Sequence, residues 1–235
     1  MNEKFKRFNA FTLAEVLITL GVIGVVAAVT MPTLIKNYQK HVVVTKLKRI
    51  YSLVNQAVEA NKAEYGDFPN WVKDCGTGDV APRLTCTLDE TVEWYNAYLG
   101  KYIKSTKIEK SEENSGFYIY LVDGSVLFIK TRIYDMRYYI NAKAVENPLF
   151  GKNVFQFRFN PYLLAHQVGA TNDTSAIGKG FEPYAANWDG TREGLFEGKN
   201  SGESACQKPF DGVSGYYCTK LIQLDGWEIK DDYPW

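Results

Sequence analysis

Few side chains in this sequence are placed to do chemistry, and the most conspicuous is a carboxylate. Glu15 is the only ionisable residue between Phe11 and Ile35, and Val16 to Ile35 is a run of twenty uncharged, mostly apolar residues. At about 1.5 Å per residue such a run makes roughly 30 Å of helix, the thickness of a bilayer core. A carboxylate that reaches mid-bilayer alone costs on the order of 2.5–3.5 kcal/mol, so Glu15 calls for a partner. Four cysteines, Cys75, Cys86, Cys206 and Cys218, all lie beyond the run as two local pairs. That pattern suits an oxidising compartment and disulfides 75–86 and 206–218, although an even count permits other pairings. Zinc is disfavoured, because there is no C-x-x-C and only His41 and His166 could supply imidazole. No P-loop, H-E-x-x-H or G-x-S-x-G motif occurs. No catalytic residue, metal ligand or cofactor is therefore assigned, and the chain is read as a non-enzyme. Asp123, Asp211, Asp225, Asp231 and Asp232 lack EF-hand spacing and are read as solvated surface carboxylates.

The ten residues before Phe11, M-N-E-K-F-K-R-F-N-A, carry Lys4, Lys6 and Arg7 against Glu3 and end on a small residue, Ala10. The block A-F-T-L-A-E-V-L-I-T-L-G-V-I-G-V-V-A-A-V, Ala10 to Val29, resembles the prepilin signature shared by type IV pilins and type II secretion pseudopilins. The resemblance implies a leader, residues 1–10, that a membrane aspartyl peptidase removes between Ala10 and Phe11 on the cytoplasmic side. The same enzyme then N-methylates Phe11, and Glu15 becomes the acid five places into the mature chain. Ala10 stands where the family usually has Gly; as the smallest side-chain alternative it is expected to allow cleavage.

The residue types have a physical use of their own. A cut at Ala10 creates an α-amino group, cationic near neutral pH, at the head of an apolar helix. Within one subunit this amine and Glu15 pair only loosely. Between subunits they can neutralise each other while their helices lie side by side, which turns a costly carboxylate into a register mark for assembly. Two competing readings leave Glu15 unexplained. One is an ordinary single-pass anchor; the other is a secretory signal cleaved near Ala28-Val29-Thr30, for which the run is long.

Composition and charge bound what surrounds this motif. The chain has 235 residues, 46% hydrophobic, with 27 basic and 27 acidic side chains, so it can bury a core. Loss of residues 1–10 leaves a small net negative charge, so no basic field recruits nucleic acid. Lys36, Lys40, Lys46, Lys48 and Arg49 follow the apolar run and offset the leader's charges, so charge alone does not set orientation. The cysteines do, placing the C-terminal part outside the cytoplasm.

Residues 11–35 are read as the membrane half of one long helix and 36–65 as its amphipathic half. Pro32 removes one helical hydrogen bond and is expected to bend the axis without ending the helix. Beyond it Val43, Leu47, Ile50, Val54 and Ala57 or Val58 recur at three- and four-residue steps, a stripe that faces a domain of its own. Gly66 and Pro69 set the stop, giving a helix on the order of 80 Å long.

The head, 66–235, opens on an irregular segment. Thr87-Leu88-Asp89-Glu90 then predicts a capping box for a helix to Leu99 closed by Gly100. Strands are predicted at Phe117 to Val122 and Val126 to Thr131 around an Asp123-Gly124 turn, within Arg137 to Val145, and at Asn153 to Phe159. Both strings resemble the sheet of the pilin head, so the expected fold is α+β: a long N-terminal helix packed on an antiparallel sheet. Residues 160–205 present no predicted element. The loop-rich region 160–218 is the candidate for whatever distinguishes this subunit, although Phe181, Tyr184, Trp188 and Phe196 are more simply read as packing the loop onto the sheet. A short helix is predicted from Thr219 to Asp225, capped by Gly226.

The resemblance implies a structural subunit, a minor one by the size of its head, of a type IV pilus, a type II secretion pseudopilus or a related filament. Its implied partners are the prepilin peptidase and methylase, sister subunits, an inner-membrane assembly platform and membrane lipid. Its implied location is single-pass in the cytoplasmic membrane with an extracytoplasmic head, then in a periplasmic or cell-surface filament. The alternative is a membrane-tethered extracytoplasmic binding module that never polymerises.

Overall fold

The computed structural model describes residues 12–66, 87–113, 115–131, 135–159, 180–198, 204–208 and 214–235. The chain divides into two units, Met1–Val42 and Val43–Trp235. A single helix, α1, runs over Leu13–Tyr65 and contributes to both. The helix continues through Pro32, whose missing N–H leaves the Ala28 carbonyl without its usual donor. It ends where the sequence asks it to: Gly66 sits at φ 79° and its N–H bonds the Lys62 carbonyl at 2.9 Å.

In the second unit the stripe Val43, Leu47, Ile50, Val54, Ala57 and Val58 is buried, and it joins one core with the inner face of a sheet. Each of the larger side chains stabilises the head by about 2 kcal/mol through burial. The sheet has six antiparallel strands in chain order: β1 (Ser105–Lys110), β2 (Gly116–Leu121), β3 (Val126–Lys130), β4 (Asp135–Tyr139), β5 (Val154–Phe159) and β6 (Phe181–Pro183). Alternation sends Phe117, Ile119, Leu127, Ile129, Met136, Tyr138, Phe155 and Phe157 towards α1. The opposite face buries a smaller cluster, Val126, Phe128, Tyr139 and Val154, under Ala144 and Phe150. Gly116 is obligatory where β2 meets β3, because a Cβ there would lie 2.3 Å from the Ile129 carbonyl oxygen.

The expected hairpin is present, with Tyr120 opposite Val126. Its turn is held by Asp123, whose carboxylate accepts from the Ser125 N–H at 3.0 Å. Thr87 and Glu90 form the predicted capping box at the start of α2 (Leu88–Tyr95). That helix differs from expectation at its end: it widens into a π turn over Asn96–Gly100, and Gly100 is not among the glycines at positive φ. The strand predicted within Arg137 to Val145 is β4, which ends at Tyr139, and the stretch beyond it enters the short helix α3 (Lys143–Glu146). Asn141 favours that switch, since its side chain accepts from the Ala144 N–H at 3.0 Å.

Three elements lie where no helix or strand was expected. β1 is one edge of the sheet and β6 the other, and α4 (Arg192–Glu197) is capped by Thr191, whose hydroxyl accepts from the Gly194 N–H at 3.0 Å. The loop-rich reading of 160–218 is corrected to that extent. α5 (Cys218–Leu224) follows, and Gly226 at φ 79° closes it as expected.

Candidate assembly site

The first turn of α1 is built by four residues, Thr12-Leu13-Ala14-Glu15. The Glu15 carboxylate accepts from the Thr12 N–H at 2.8 Å and from its hydroxyl at 2.9 Å. The same hydroxyl accepts from the Glu15 N–H at 3.2 Å. This is a reciprocal cap that satisfies backbone donors which the helix leaves open. Both contacts to the carboxylate use Oε2, so Oε1 keeps its acceptor capacity among the described residues. The cap therefore accounts for only half of what this acid can bind. Ala10 and Phe11, the expected cleavage pair, lie outside the described residues, so the geometry of the cut is not defined here.

Beyond the cap the helix presents apolar side chains on every side. Leu13 is 77% exposed, Leu17 62%, Ile23 62%, Val25 67% and Val29 72%. Helical periodicity places these residues all round the axis, which is the pattern of a helix surrounded by lipid or by other helices, not by water. Hydroxyls in this segment are turned inward to their own backbone: Thr19 bonds the Val16 carbonyl and Thr30 the Val26 carbonyl, each at 2.9 Å. A segment that leaves water needs that internal satisfaction. At Gly21 and Gly24 a Cβ would meet nothing within 4 Å, so their smallness serves no contact among the described residues.

In the head, the aromatic side chains of the described stretch 180–198 pack against the core. Phe181 is buried and stacks on Phe157 with ring centroids 4.3 Å apart, and Tyr184, Trp188 and Phe196 pack against the main core. The simpler reading of those aromatics holds. Cys206 and Cys218 are joined as expected; Cys75 and Cys86 lie outside the described residues.

Three features were missed in the sequence. Thr12 completes a legible T-x-x-E cap, overlooked because Glu15 was read only as a charge. Asn55 pairs with both backbone groups of Phe181, donating to its carbonyl at 2.9 Å and accepting from its N–H at 3.0 Å. Asp225, read as a solvated carboxylate, has a side chain only 4% exposed. It accepts two bonds from one edge of the Arg192 guanidinium, from Nε and Nη2 at 2.7 Å each, and one from the Lys230 ammonium at 2.8 Å. Arg192 and, after it, Lys230 hold the Asp225 carboxyl below the usual carboxylate range. Burial and then a hydrogen bond to Glu182 raise the Tyr51 phenol. Unlike Thr12, the residues Asn55, Asp225 and Tyr51 lie far from Glu15 in sequence, and each ties one head element to another.

Residues 33–235 match a family of unknown function, DUF6613, and the chain belongs to that family. The match begins at Thr33 and so covers the head and the amphipathic half of α1 but not the T-L-A-E cap. No curated protein and no solved structure matches the chain.

Proposed function

We propose that this member of a family of unknown function is a structural filament subunit of the type IV pilus or type II secretion pseudopilus kind, non-catalytic and minor. One observation carries the proposal: an apolar helix, exposed all round, begins with an acid one of whose oxygens accepts nothing among the described residues, four places after Phe11 at the expected cleavage point. In this reading a peptidase frees the Phe11 amine and methylates it. The membrane then stores the subunit through residues 11–35, with the head outside the cytoplasmic membrane. Extraction by an inner-membrane platform brings the amine of one chain to Glu15 of another as their helices replace lipid contacts with each other. One membrane-length helix and the Cys206–Cys218 disulfide support a membrane-anchored, extracytoplasmic placement of the head. The arrangement of a long N-terminal helix packed on an antiparallel sheet supports the pilin-like reading of the fold.

Replacing Glu15 by Val tests the proposal directly. The variant is expected to be cleaved and to remain stable in membranes, yet to be missing from sedimented fibres. Wild-type incorporation of Glu15→Val would instead favour a tethered binding module or an assembly that ignores this charge.

A further inference from the structure

A filament needs contacts between heads as well as between helices, and the inference below rests on the filament reading. A groove of about 220 Å³ opens in the head between α1, the segment before β1 and the β2–β3 turn. Its floor is apolar, made of Ile50, Leu53, Leu121 and Tyr138, and its rim carries Arg49 and Lys104. The Arg49 side chain is 57% exposed and bonds the groove's one carboxylate, Asp123, at 3.0 Å. Lys104 is exposed and makes no ion pair or hydrogen bond among the described residues. Nearby, the Lys46 ammonium bonds the Ile140 carbonyl at 2.6 Å and adds a third positive charge around the one carboxylate, Asp123. Cations outnumber anions at this end, and the exposed Val122, 59% accessible, extends the apolar floor.

The other end of the same strand pair has the complementary character. Ser105 faces Leu121 and Lys110 faces Phe117, so Glu112 and Glu113, which follow β1, lie at the far end of β1 and β2, about 17 Å from the groove at 3.3–3.4 Å per residue. Both are exposed and make no ion pair among the described residues. The cation next to them in sequence, Lys110, is held by Asp89 at 2.6 Å. An acidic tip without ion pairs among the described residues and a groove with a net excess of positive charge thus occupy opposite ends of one strand pair.

We propose that the groove of one copy receives the Glu112-Glu113 turn of a second copy, head to tail. The carboxylates meet Arg49 and Lys104 while their methylene stems cover Leu53 and Val122. Because the two surfaces are different patches at opposite ends of the β1–β2 strand pair, the contact is heterologous, which is the kind that propagates a fibre.

The test uses the full-length, processed chain in detergent, with self-association followed by sedimentation. Lys104→Glu and Glu113→Lys reverse exposed charges and leave the core untouched. Each alone is expected to weaken association about tenfold, and the two together in one chain to restore it, since every interface then pairs a new acid with a new base. Rising salt should weaken the wild type in the same direction. Single reversals without effect, or a double variant no better than the singles while the wild type still assembles, overturn this contact and leave the filament reading standing. A processed wild type that never exceeds a monomer overturns both.

Discussion

Glu15 has one shown role and one proposed role. One oxygen of its carboxylate closes the first turn of α1 on Thr12, and the other accepts no hydrogen bond among the described residues, which suits the proposed pairing with a neighbour's amine. The substitution Glu15→Gln separates the roles, because a capping box accepts Gln as readily as Glu while the negative charge disappears. If charge pairing with a neighbour's amine sets register, Glu15→Gln keeps its helix by circular dichroism but enters sedimented fibres at least tenfold less than the wild type. Equal incorporation would make the cap the whole role of this residue. The sequence made the charge obvious by isolating it among twenty uncharged neighbours. It concealed the cap only in the sense that a three-residue spacing at the head of a membrane segment invites one explanation where two apply.

At the scale of elements, two contacts decide how the head's later segments are held. β6 is three residues long and lies at the sheet's edge, where a free backbone is a hazard. Asn55 covers it from α1 by pairing with both the N–H and the C=O of Phe181. Asn55→Ala leaves both groups short of a partner and is expected to cost about 2–3 kcal/mol. A lower midpoint in denaturant, with faster hydrogen exchange at the Phe181 amide, checks this; an unchanged exchange rate would contradict it. The second contact is the Arg192–Asp225–Lys230 cluster that ties α4 to α5 and the C-terminal tail. Because Arg192 first and Lys230 after it lower the Asp225 carboxyl in the folded state, the folded chain binds that proton less readily than the unfolded chain. The stabilisation is therefore complete above the unfolded value of about 3.9 and is lost as pH falls through the lower folded value. Asp225→Ala should cost about 3 kcal/mol at neutral pH, and the gap from wild type should narrow on acidification below about pH 4. A gap that stays constant in thermal melts across that range would refute the role given to the carboxyl.

The same two contacts show why some elements were legible and others not. The β2–β3 hairpin, the α2 cap and the α1 stripe were readable because turn residues, caps and apolar spacing sit side by side in the chain. β1, S-T-K-I-E-K, is exposed along its length and has no apolar alternation to reveal it. β6 is stabilised by Asn55, 126 residues away, so nothing local marks it. Asp225 looked like any surface acid until Arg192 was folded onto it.

For the molecule as a whole, the account joins a helix segment too apolar for water to a head with its own core and disulfide. The membrane-length helix and the Cys206–Cys218 disulfide support an anchored, extracytoplasmic placement; the step from anchor to fibre depends on what happens before Phe11. Mass spectrometry of the mature N-terminus, on protein taken from the membrane of cells that make the filament machinery, tests that step most directly. The account predicts a chain that begins at N-methylated Phe11, whose amine is then available to Glu15 of a neighbour. A mature protein that still begins at Met1, or one that begins near Met31 with the apolar run removed, would contradict it.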